Sequence, residues 1–336
     1  MKTTLLVGMM VLTAAYSTLQ AQSKVGTTVG QFLLIEPSAR VTGMGNAGVT
    51  TFEDIQAIYY NPAALGHMTQ NGVQFTHSPW LADITYDYAG GVLTLGDAGN
   101  LFGSVTSLNS GEIDVRTVGQ PLGTGEKYSV TDLAFSLGYG KRISDRFSVG
   151  VQATYLQETI WHSALSAFAV NVGTLYQISE NGFRIGASIS NWGTRAKYDG
   201  RDLRILYDQN AAAHGDNNQI PGELLMDDFP LPILFRVGVG LPVMLDEHNR
   251  IQFAVDAFHP SDNTESVSMG VEWLFYNMFA LRGGYQNVGQ KDSEVGLTLG
   301  AGVAYEMKDF KLFFDYAWAD YHRLDKTQRL SLGVMF

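Results

Sequence analysis

The feature that most constrains the fold is a two-residue alternation of apolar with small or polar side chains, which recurs from about residue 73 to residue 336. Between Phe147 and Tyr155, apolar residues occupy every odd position, and Ser, Gly, Gln or Thr every even one. Successive side chains of a β-strand point to opposite faces, so this pattern predicts strands with one apolar face. No apolar run of 18 or more follows residue 21, which excludes a transmembrane helix there.

Strands of this kind build either a soluble β-sandwich or a membrane barrel with lipid outside and a lumen within. The alternating segments run about 10 to 15 residues, whereas strands of soluble proteins usually have about 5 or 6. At that length a tilted strand crosses a bilayer. The apolar faces often end in aromatic residues, as an interfacial girdle requires: Tyr139, Tyr155, Trp273, Phe275 and Trp318. We therefore predict an all-β fold, a transmembrane antiparallel β-barrel of the outer membrane.

The number of strands follows from the candidate segments. They are roughly 73–80, 84–96, 100–109, 112–118, 129–143, 146–160, 164–179, 182–193, 231–243, 250–259, 265–275, 278–288, 294–307, 309–319 and 328–336. Bacterial single-chain barrels have an even number of strands, and the shortest segment, 112–118, is interpreted as half of a loop hairpin. The prediction is about 14 strands within a barrel domain of residues 71–336, with 12 and 16 as alternatives.

The chain ends on an alternating segment with an aromatic residue at its last position. Leu332, Val334 and Phe336 share the apolar face of that segment. A terminal aromatic residue on the last strand resembles the signal that outer-membrane assembly machinery reads. These three residues are therefore predicted to form a C-terminal assembly signal.

The first 21 residues are typical of a secretory signal peptide. Lys2 precedes an apolar stretch at residues 5–12, and small residues lead to a predicted cleavage site after Ala21. About 12 apolar residues are too few for a membrane anchor, so we expect export. The absence of Cys excludes disulfides and thiolate metal sites, and an excess of 33 acidic over 22 basic residues argues against nucleic-acid binding.

Two regions lack the alternation, residues 22–70 and residues 194–230. The second is a long polar loop, and long loops face outward in such barrels, so we expect it to be extracellular. Its carboxylates could bind Ca²⁺, but they lack the spacing of a calcium loop, and a solvated loop that faces a partner is favoured. Its charged residues include Asp199, Arg201, Asp202, Arg204, Asp208, Asp216, Glu223, Asp227 and Asp228.

Residues 43–48 read GMGNAG, which matches the three spaced glycines of a dinucleotide-binding turn. That fingerprint requires a βαβ unit, and none follows, so a tight turn packed against the barrel wall is favoured. Asn61 and Pro62 have the order of a helix start, with Asn61 as N-cap.

The stretch FLLIEPSARVTGMGNAG, followed by Asp54, Ala57 and the NPAAL of residues 61–65, closely resembles the N-terminal signature of the PorV/PorQ family. The ending RLSLGVMF resembles the last strand of that family. These are outer-membrane barrels related to the FadL fatty-acid transporters, and the resemblance implies 14 strands with residues 22–70 as a hatch, or plug, inside the lumen. The residues that carry this implied hatch motif are Phe32, Leu33, Ile35, Arg40, Gly43, Met44, Gly45, Asp54, Asn61, Pro62 and Ala63.

The resemblance also implies a function. PorV is a component of type IX secretion: it binds the C-terminal signal domain of cargo leaving the translocon and delivers it to a surface attachment complex, to which PorQ belongs. Residues 37–40 and 43–45 look more like PorV than PorQ, whereas Ala64 replaces the Lys towards which PorV tends, which leaves a general paralogue open. We expect a non-enzymatic barrel in outer-membrane lipid with protein partners, namely the translocon, cargo C-terminal domains or the attachment complex.

The alternative is a FadL-like passive transporter of a hydrophobic ligand, which would need an apolar pocket between the hatch and the wall. Arg40 has Glu36 and Asp54 nearby in the sequence, and a structural ion pair is favoured over contact with a ligand carboxylate. The seven His are scattered, and no G-x-S-x-G motif occurs. The sequence therefore predicts no catalytic residue, no metal site and no cofactor.

Overall fold

The computed structural model describes residues 24–179, 182–210, 212, 219–290 and 293–336. The predicted signal peptide, residues 1–21, lies outside them. Within the described ranges, fourteen antiparallel strands form one closed sheet. They are β1 (Gly72–Pro79), β2 (Thr85–Thr94), β3 (Asn100–Asn109), β4 (Val130–Ser144), β5 (Phe147–Ile160), β6 (Ser163–Gln177), β7 (Arg184–Gly193), β8 (Leu234–Met244), β9 (Arg250–Pro260), β10 (Ser266–Phe275), β11 (Phe279–Val288), β12 (Leu297–Glu306), β13 (Lys311–Asp320) and β14 (Lys326–Met335).

Each strand pairs with its neighbours in the chain, and β14 closes the barrel on β1 with Gly72 opposite Met335. The predicted all-β barrel of 14 strands is confirmed. The segment 112–118 lies in a loop, where Ile113–Asp114 pairs with Lys127–Tyr128 in a small hairpin.

The two faces of the barrel wall differ in polarity in the way that lipid requires. Outward side chains are large and apolar, such as Leu137 and Phe168, which are 75% and 63% exposed. Inward side chains such as Ser148, Gln152 and Thr298 are polar and buried. Apolar residues outside and polar residues inside are the arrangement of a transmembrane barrel. Among the described residues, no helix has the length and apolar character needed to cross a membrane.

The connections divide the barrel into two distinct ends. At the end where β1 begins and β14 finishes, the strands are joined by short turns such as 145–146, 276–278 and 307–310. The two longest connections, 110–129 and 194–233, both lie at the opposite end. We call these the short-turn end and the long-loop end.

Residues 24–70, the inner segment, begin with exposed residues at the long-loop end and continue with residues that are mostly buried against inward-facing residues of the wall. Lys24 and Val29 donate backbone hydrogen bonds to Asp262 and Pro230, both at the long-loop end. From there the segment passes through the lumen and joins β1 at the short-turn end. Its regular elements are a 3-10 turn (Gln31–Leu34), α1 (Ala39–Thr42), α2 (Ala57–Tyr60) and a second 3-10 turn (Pro62–His67).

Substituting the apolar side chains at the C-terminus is expected to impair insertion of the barrel. Leu332 and Phe336 are each 58% exposed on the outer face, and the Phe336 backbone N–H donates to the Asn71 oxygen beside β1. We expect Val334→Ala with Phe336→Ala to lower the amount of heat-modifiable barrel in the membrane fraction, because an apolar strand end has lost its terminal aromatic. Leu312→Ala with Phe314→Ala, which removes similar outward area from β13, is the matched control. Normal insertion of the Val334/Phe336 variant would contradict the predicted assembly signal.

Candidate functional site

Lumen-facing glycines let the inner segment approach the wall at backbone distance. A Cβ atom at any of four such glycines, two on β5 and β6 and two on β10 and β11, would overlap the inner segment. Glycine is the residue that permits this approach, because it has no side chain. The contacts are those of Gly150 with Pro62, Gly173 with Asn61, Gly270 with Met44, and Gly284 with Gly45.

Asn61 anchors the turn that follows α2. Its side chain accepts a hydrogen bond from Ala63 N at 3.0 Å, as an N-cap does, and Pro62 occupies the first position of the turn. The Asn61 amide also donates to Val49 O at 2.8 Å and to Thr174 O on β6 at 2.9 Å. The element that begins here is a 3-10 turn, Pro62–His67, rather than a longer α-helix. One side chain thus joins two parts of the inner segment to the wall.

Arg40 is paired across the lumen, and the partner is one that sequence proximity did not indicate. Its Nε and Nη2 donate to both oxygens of Glu272 on β10, at 2.8 and 2.6 Å, and Nη2 also lies 3.2 Å from Glu53. Neither Glu36 nor Asp54 forms an ion pair with Arg40 in the described structure. Arg40 thus forms a structural ion pair, but with Glu272 and Glu53 rather than with the two carboxylates noted nearby in the sequence. Asp54 instead accepts a hydrogen bond from Ser38, which caps α1.

The ion pairs extend beyond Arg40 into a chain of alternating charges near the short-turn end. Glu272 also accepts from Arg282 Nε at 2.7 Å, and Arg282 Nη1 donates to Asp315 at 2.6 Å. Glu53 is paired with Arg250 on β9 at 2.7 and 2.5 Å. Burial raises the pKa of Glu53, but Arg40 and Arg250 outweigh burial and hold that pKa well below its usual range. We call these six residues the lumen ion network.

Apolar residues of the inner segment occupy the half of the lumen nearer the long loops. Phe32 and Leu33 are 3% and 8% exposed and pack with Leu156 and Leu165 of the wall and Leu231 of the long loop. Ile35 packs against the same cluster. Passive transport would need an apolar pocket between the wall and Phe32, Leu33, Ile35 and Met44, but in the structure Phe32 and Leu33 pack directly against the wall. Gly43, whose Cβ would collide with Gly300, places α1 directly on β12.

Two buried arginines on the wall were missed by sequence analysis. Arg236 lies 5.4 Å from the ring centre of Tyr59, and Arg329 lies 4.9 Å from that of Trp80. Arg329 Nε donates to the backbone oxygen of Glu36 at 2.9 Å, and burial raises the pKa of the Glu36 carboxyl despite the nearby Arg329. Arg236 Nε and Arg329 Nη2 have no hydrogen-bond partner within the described residues. A basic residue at an inward position of an alternating strand is the signal that could have identified them.

The long-loop end exposes apolar side chains on connections that rise beyond the strands. Val118 and Leu122 of the loop 110–129 are 104% and 94% exposed, and Leu206 and Leu225 of the loop 194–233 are 67% and 91% exposed. The longer loop is tied to the barrel, because Tyr198 OH donates to Glu158 Oε2 at 3.0 Å. Within the described part of the chain, no three Asp, Glu or His side chains converge as metal ligands. Asp216 lies outside the described residues.

Comparisons with known proteins bear on both the fold and the family. The structure is similar to the toluene transporter TodX of Pseudomonas putida (TM-score 0.55, 11% identity, 89% of this chain and 96% of that one). It is similar to a FadL homologue of Pseudomonas aeruginosa (0.56, 10%, 89% and 98%) and to the toluene transporter TbuX of Ralstonia pickettii (0.53, 13%, 90% and 98%). No curated protein sequence matches the chain. A family model described as type IX secretion system protein PorV matches residues 18–259.

Proposed function

Because this chain belongs to the PorV family of type IX secretion system proteins, we propose that it is a non-enzymatic barrel that binds secreted protein cargo or partner proteins through its long-loop end. The protein is an outer-membrane β-barrel of the architecture shared with FadL-like proteins. In this proposal the long-loop end faces the cell exterior. The translocon, the C-terminal domains of cargo and the attachment complex are the partners.

The exposed apolar side chains at the long-loop end are the observation that carries the proposal. Val118, Leu122, Leu206 and Leu225 are all more than half exposed on loops beyond the membrane-facing strands. Large apolar side chains on solvated loops are available to a protein partner. Burial against a partner would stabilise each of them by roughly 1.5–3 kcal/mol.

The filled lumen supports binding over conduction. In the proposal the inner segment is a hatch that plugs the barrel: Phe32 and Leu33 fill one half and the lumen ion network ties down the other. A barrel packed in this way is rigid, because interiors at such density do not deform continuously. It would therefore present its loops in one fixed arrangement.

A second candidate, FadL-like passive transport of a hydrophobic small molecule, is favoured by one observation. The buried guanidinium groups of Arg236 and Arg329 keep unpaired nitrogens beside aromatic rings, and an apolar ligand with an anionic group would satisfy them. The neighbours described as toluene transporters share the fold. Transport would require Phe32 and Leu33 to leave their packed positions.

The test is recovery of partners by the tagged full-length protein from its native outer membrane in mild detergent. We expect the protein to bring down a large translocon or secreted proteins that share a C-terminal β-domain. Val118→Asp with Leu122→Asp should lower that recovery about tenfold or more, because two apolar anchors are lost. Leu245→Asp, at an exposed apolar position of the short-turn end, is the control and should leave recovery unchanged.

Two outcomes would contradict the proposal. Equal recovery by the Val118/Leu122 variant would contradict binding through that loop. A lone barrel that carries an apolar small molecule would contradict the cargo proposal and move the function to transport.

A further inference from the structure

A two-stranded ribbon projects from the loop 194–233 at the long-loop end. Arg204–Tyr207 pairs antiparallel with Ile220–Glu223, and Leu206 lies opposite Pro221. All four residues of the first strand are exposed, including Leu206 at 67% and Tyr207 at 54%. The ribbon forms its own sheet, separate from the barrel. It therefore has two outer edges, and each carries a row of backbone groups that face away from the ribbon.

The hydrogen-bond pattern shows which groups face outward. Leu224 N donates to Leu203 O at 2.9 Å, so these two residues form a hydrogen-bonded pair of the ladder. Such pairs alternate along an antiparallel ladder, so Ile205 and Tyr207 bond within the ribbon, whereas the N–H and C=O of Leu206 point away from it. The Arg204 C=O lies on the same outer side, and the alternation continued one residue beyond the paired strand places the Asp208 N–H there as well. The Arg204 N–H is already used, because it donates to Arg201 O.

The other edge of the ribbon, Ile220–Glu223, lacks one of its outward donors, and we call it the blunted edge. Pro221 lies opposite Leu206, at a position whose N–H would point outward, and proline has no N–H. Proline on an edge strand is a common device that prevents pairing with another chain. The outward N–H that this edge keeps is that of Glu223 at the end of the paired strand, whereas the Arg204–Tyr207 edge keeps the N–H of Leu206 within the strand. The Arg204–Tyr207 edge is therefore the one better suited to binding.

We propose that the Arg204–Tyr207 edge, the open edge, binds an extended strand of a partner polypeptide by β-strand addition. This rests on the proposed function for the partner's identity, which is then an edge strand of a cargo β-domain. A strand paired with Leu206 satisfies its N–H and C=O and also reaches the Arg204 oxygen and the Asp208 nitrogen. Main-chain bonds of this kind accept many sequences, which suits a protein that handles more than one cargo.

The side chains and charge around the open edge define the strand that fits best. Ile205 and Tyr207 project from one face and Leu206 from the other, so apolar side chains on the partner would bury them. The loop 194–230 has seven acidic residues (Asp199, Asp202, Asp208, Asp216, Glu223, Asp227 and Asp228) against four basic ones (Arg195, Lys197, Arg201 and Arg204). A strand that alternates apolar with basic residues complements both features.

The test uses the full-length protein in lipid nanodiscs and a synthetic peptide of alternating Val and Lys with blocked ends. We expect the peptide to slow hydrogen exchange of the Leu206 and Asp208 amides. Leu206→Pro removes the central outward N–H and should weaken peptide binding about tenfold or more, while the ribbon's internal bonds remain. Glu223→Pro is the matched control, since its N–H also faces outward but on the blunted edge, and binding should not change.

Three results would overturn the inference. They are equal binding by the Leu206→Pro variant, protection confined to other residues, and a self-associated dimer that Leu206→Pro abolishes, which would assign the edge to a second copy. The proposed function is tested separately with the same variants. Cargo recovered equally by wild type and Leu206→Pro would contradict the open edge while the function stands. Failure of the wild type to recover cargo, with the peptide still bound at Leu206, would contradict the function alone.

Discussion

Replacing Glu272 by glutamine is expected to destabilise the barrel by about 3–5 kcal/mol, the cost of leaving buried charges unpaired. Glu272 is 1% exposed and accepts hydrogen bonds from Arg40 of the inner segment and Arg282 of β11. Glutamine keeps the shape but removes the charge that both guanidinium groups face. The measurement is the free energy of unfolding, obtained from a urea titration of the protein in detergent micelles that is monitored by tryptophan fluorescence.

Glu112→Gln provides the control for Glu272→Gln. Glu112 forms an ion pair with Lys127 at 2.7 Å, but both side chains are exposed on a loop. Exposed pairs contribute little, so this substitution should leave the unfolding curve unchanged. A Glu272→Gln protein as stable as the wild type would show that the lumen ion network does not hold the inner segment.

Replacing Gly150 by leucine is expected to displace the inner segment and turn a silent barrel into a conducting one. The added side chain would occupy the place of the Pro62 carbonyl, so the turn that Asn61 holds on Thr174 would be forced away from the wall. If the inner segment plugs the lumen as proposed, its displacement opens a path for ions. The measurement is single-channel current of the purified protein in planar bilayers.

Gly103→Leu is the matched control for Gly150→Leu. Gly103 lies on β3 with its open side towards lipid, and a Cβ there would meet nothing closer than Leu137 at 3.8 Å. This variant should insert and remain silent. A folded Gly150→Leu barrel without current would contradict the role of the inner segment as a plug.

The strands of the barrel could be predicted because their period is local. Alternation over ten or more residues identifies a strand without knowledge of its partner, and the even-number rule resolved the segment 112–118. The inward and outward faces followed from the same alternation. Ile205 and Gly222, by contrast, lie on strands of only four residues, too short for alternation to be recognised, so the ribbon in the loop 194–233 was missed.

The partners of the inner segment could not be predicted, because they depend on barrel register. Arg40 and Glu272 are 232 positions apart, and only closure of the sheet makes them neighbours. The same holds for Asn61 and Thr174, and for Ala39, whose backbone N–H donates to Ser331. Motif resemblance singled out residues of the inner segment but did not indicate which residues of the wall they contact. Proximity in sequence pointed to Glu36 and Asp54, which are 4 and 14 positions from Arg40.

Closure of β14 on β1 couples barrel formation to the seating of the inner segment. The seam between Gly72 and Met335 joins the two ends of the sheet, and the inner segment lies within it. Because that segment is covalently continuous with β1 and contacts strands up to Ser331, its seating is coupled to formation of the seam. Contacts across nearly the whole length of the chain make this a slow search, since loop-closure entropy is lost before the contacts that compensate it form. Seating of the inner segment and closure of the barrel are therefore coupled, and the contacts expected to form last are those between the two ends of the chain.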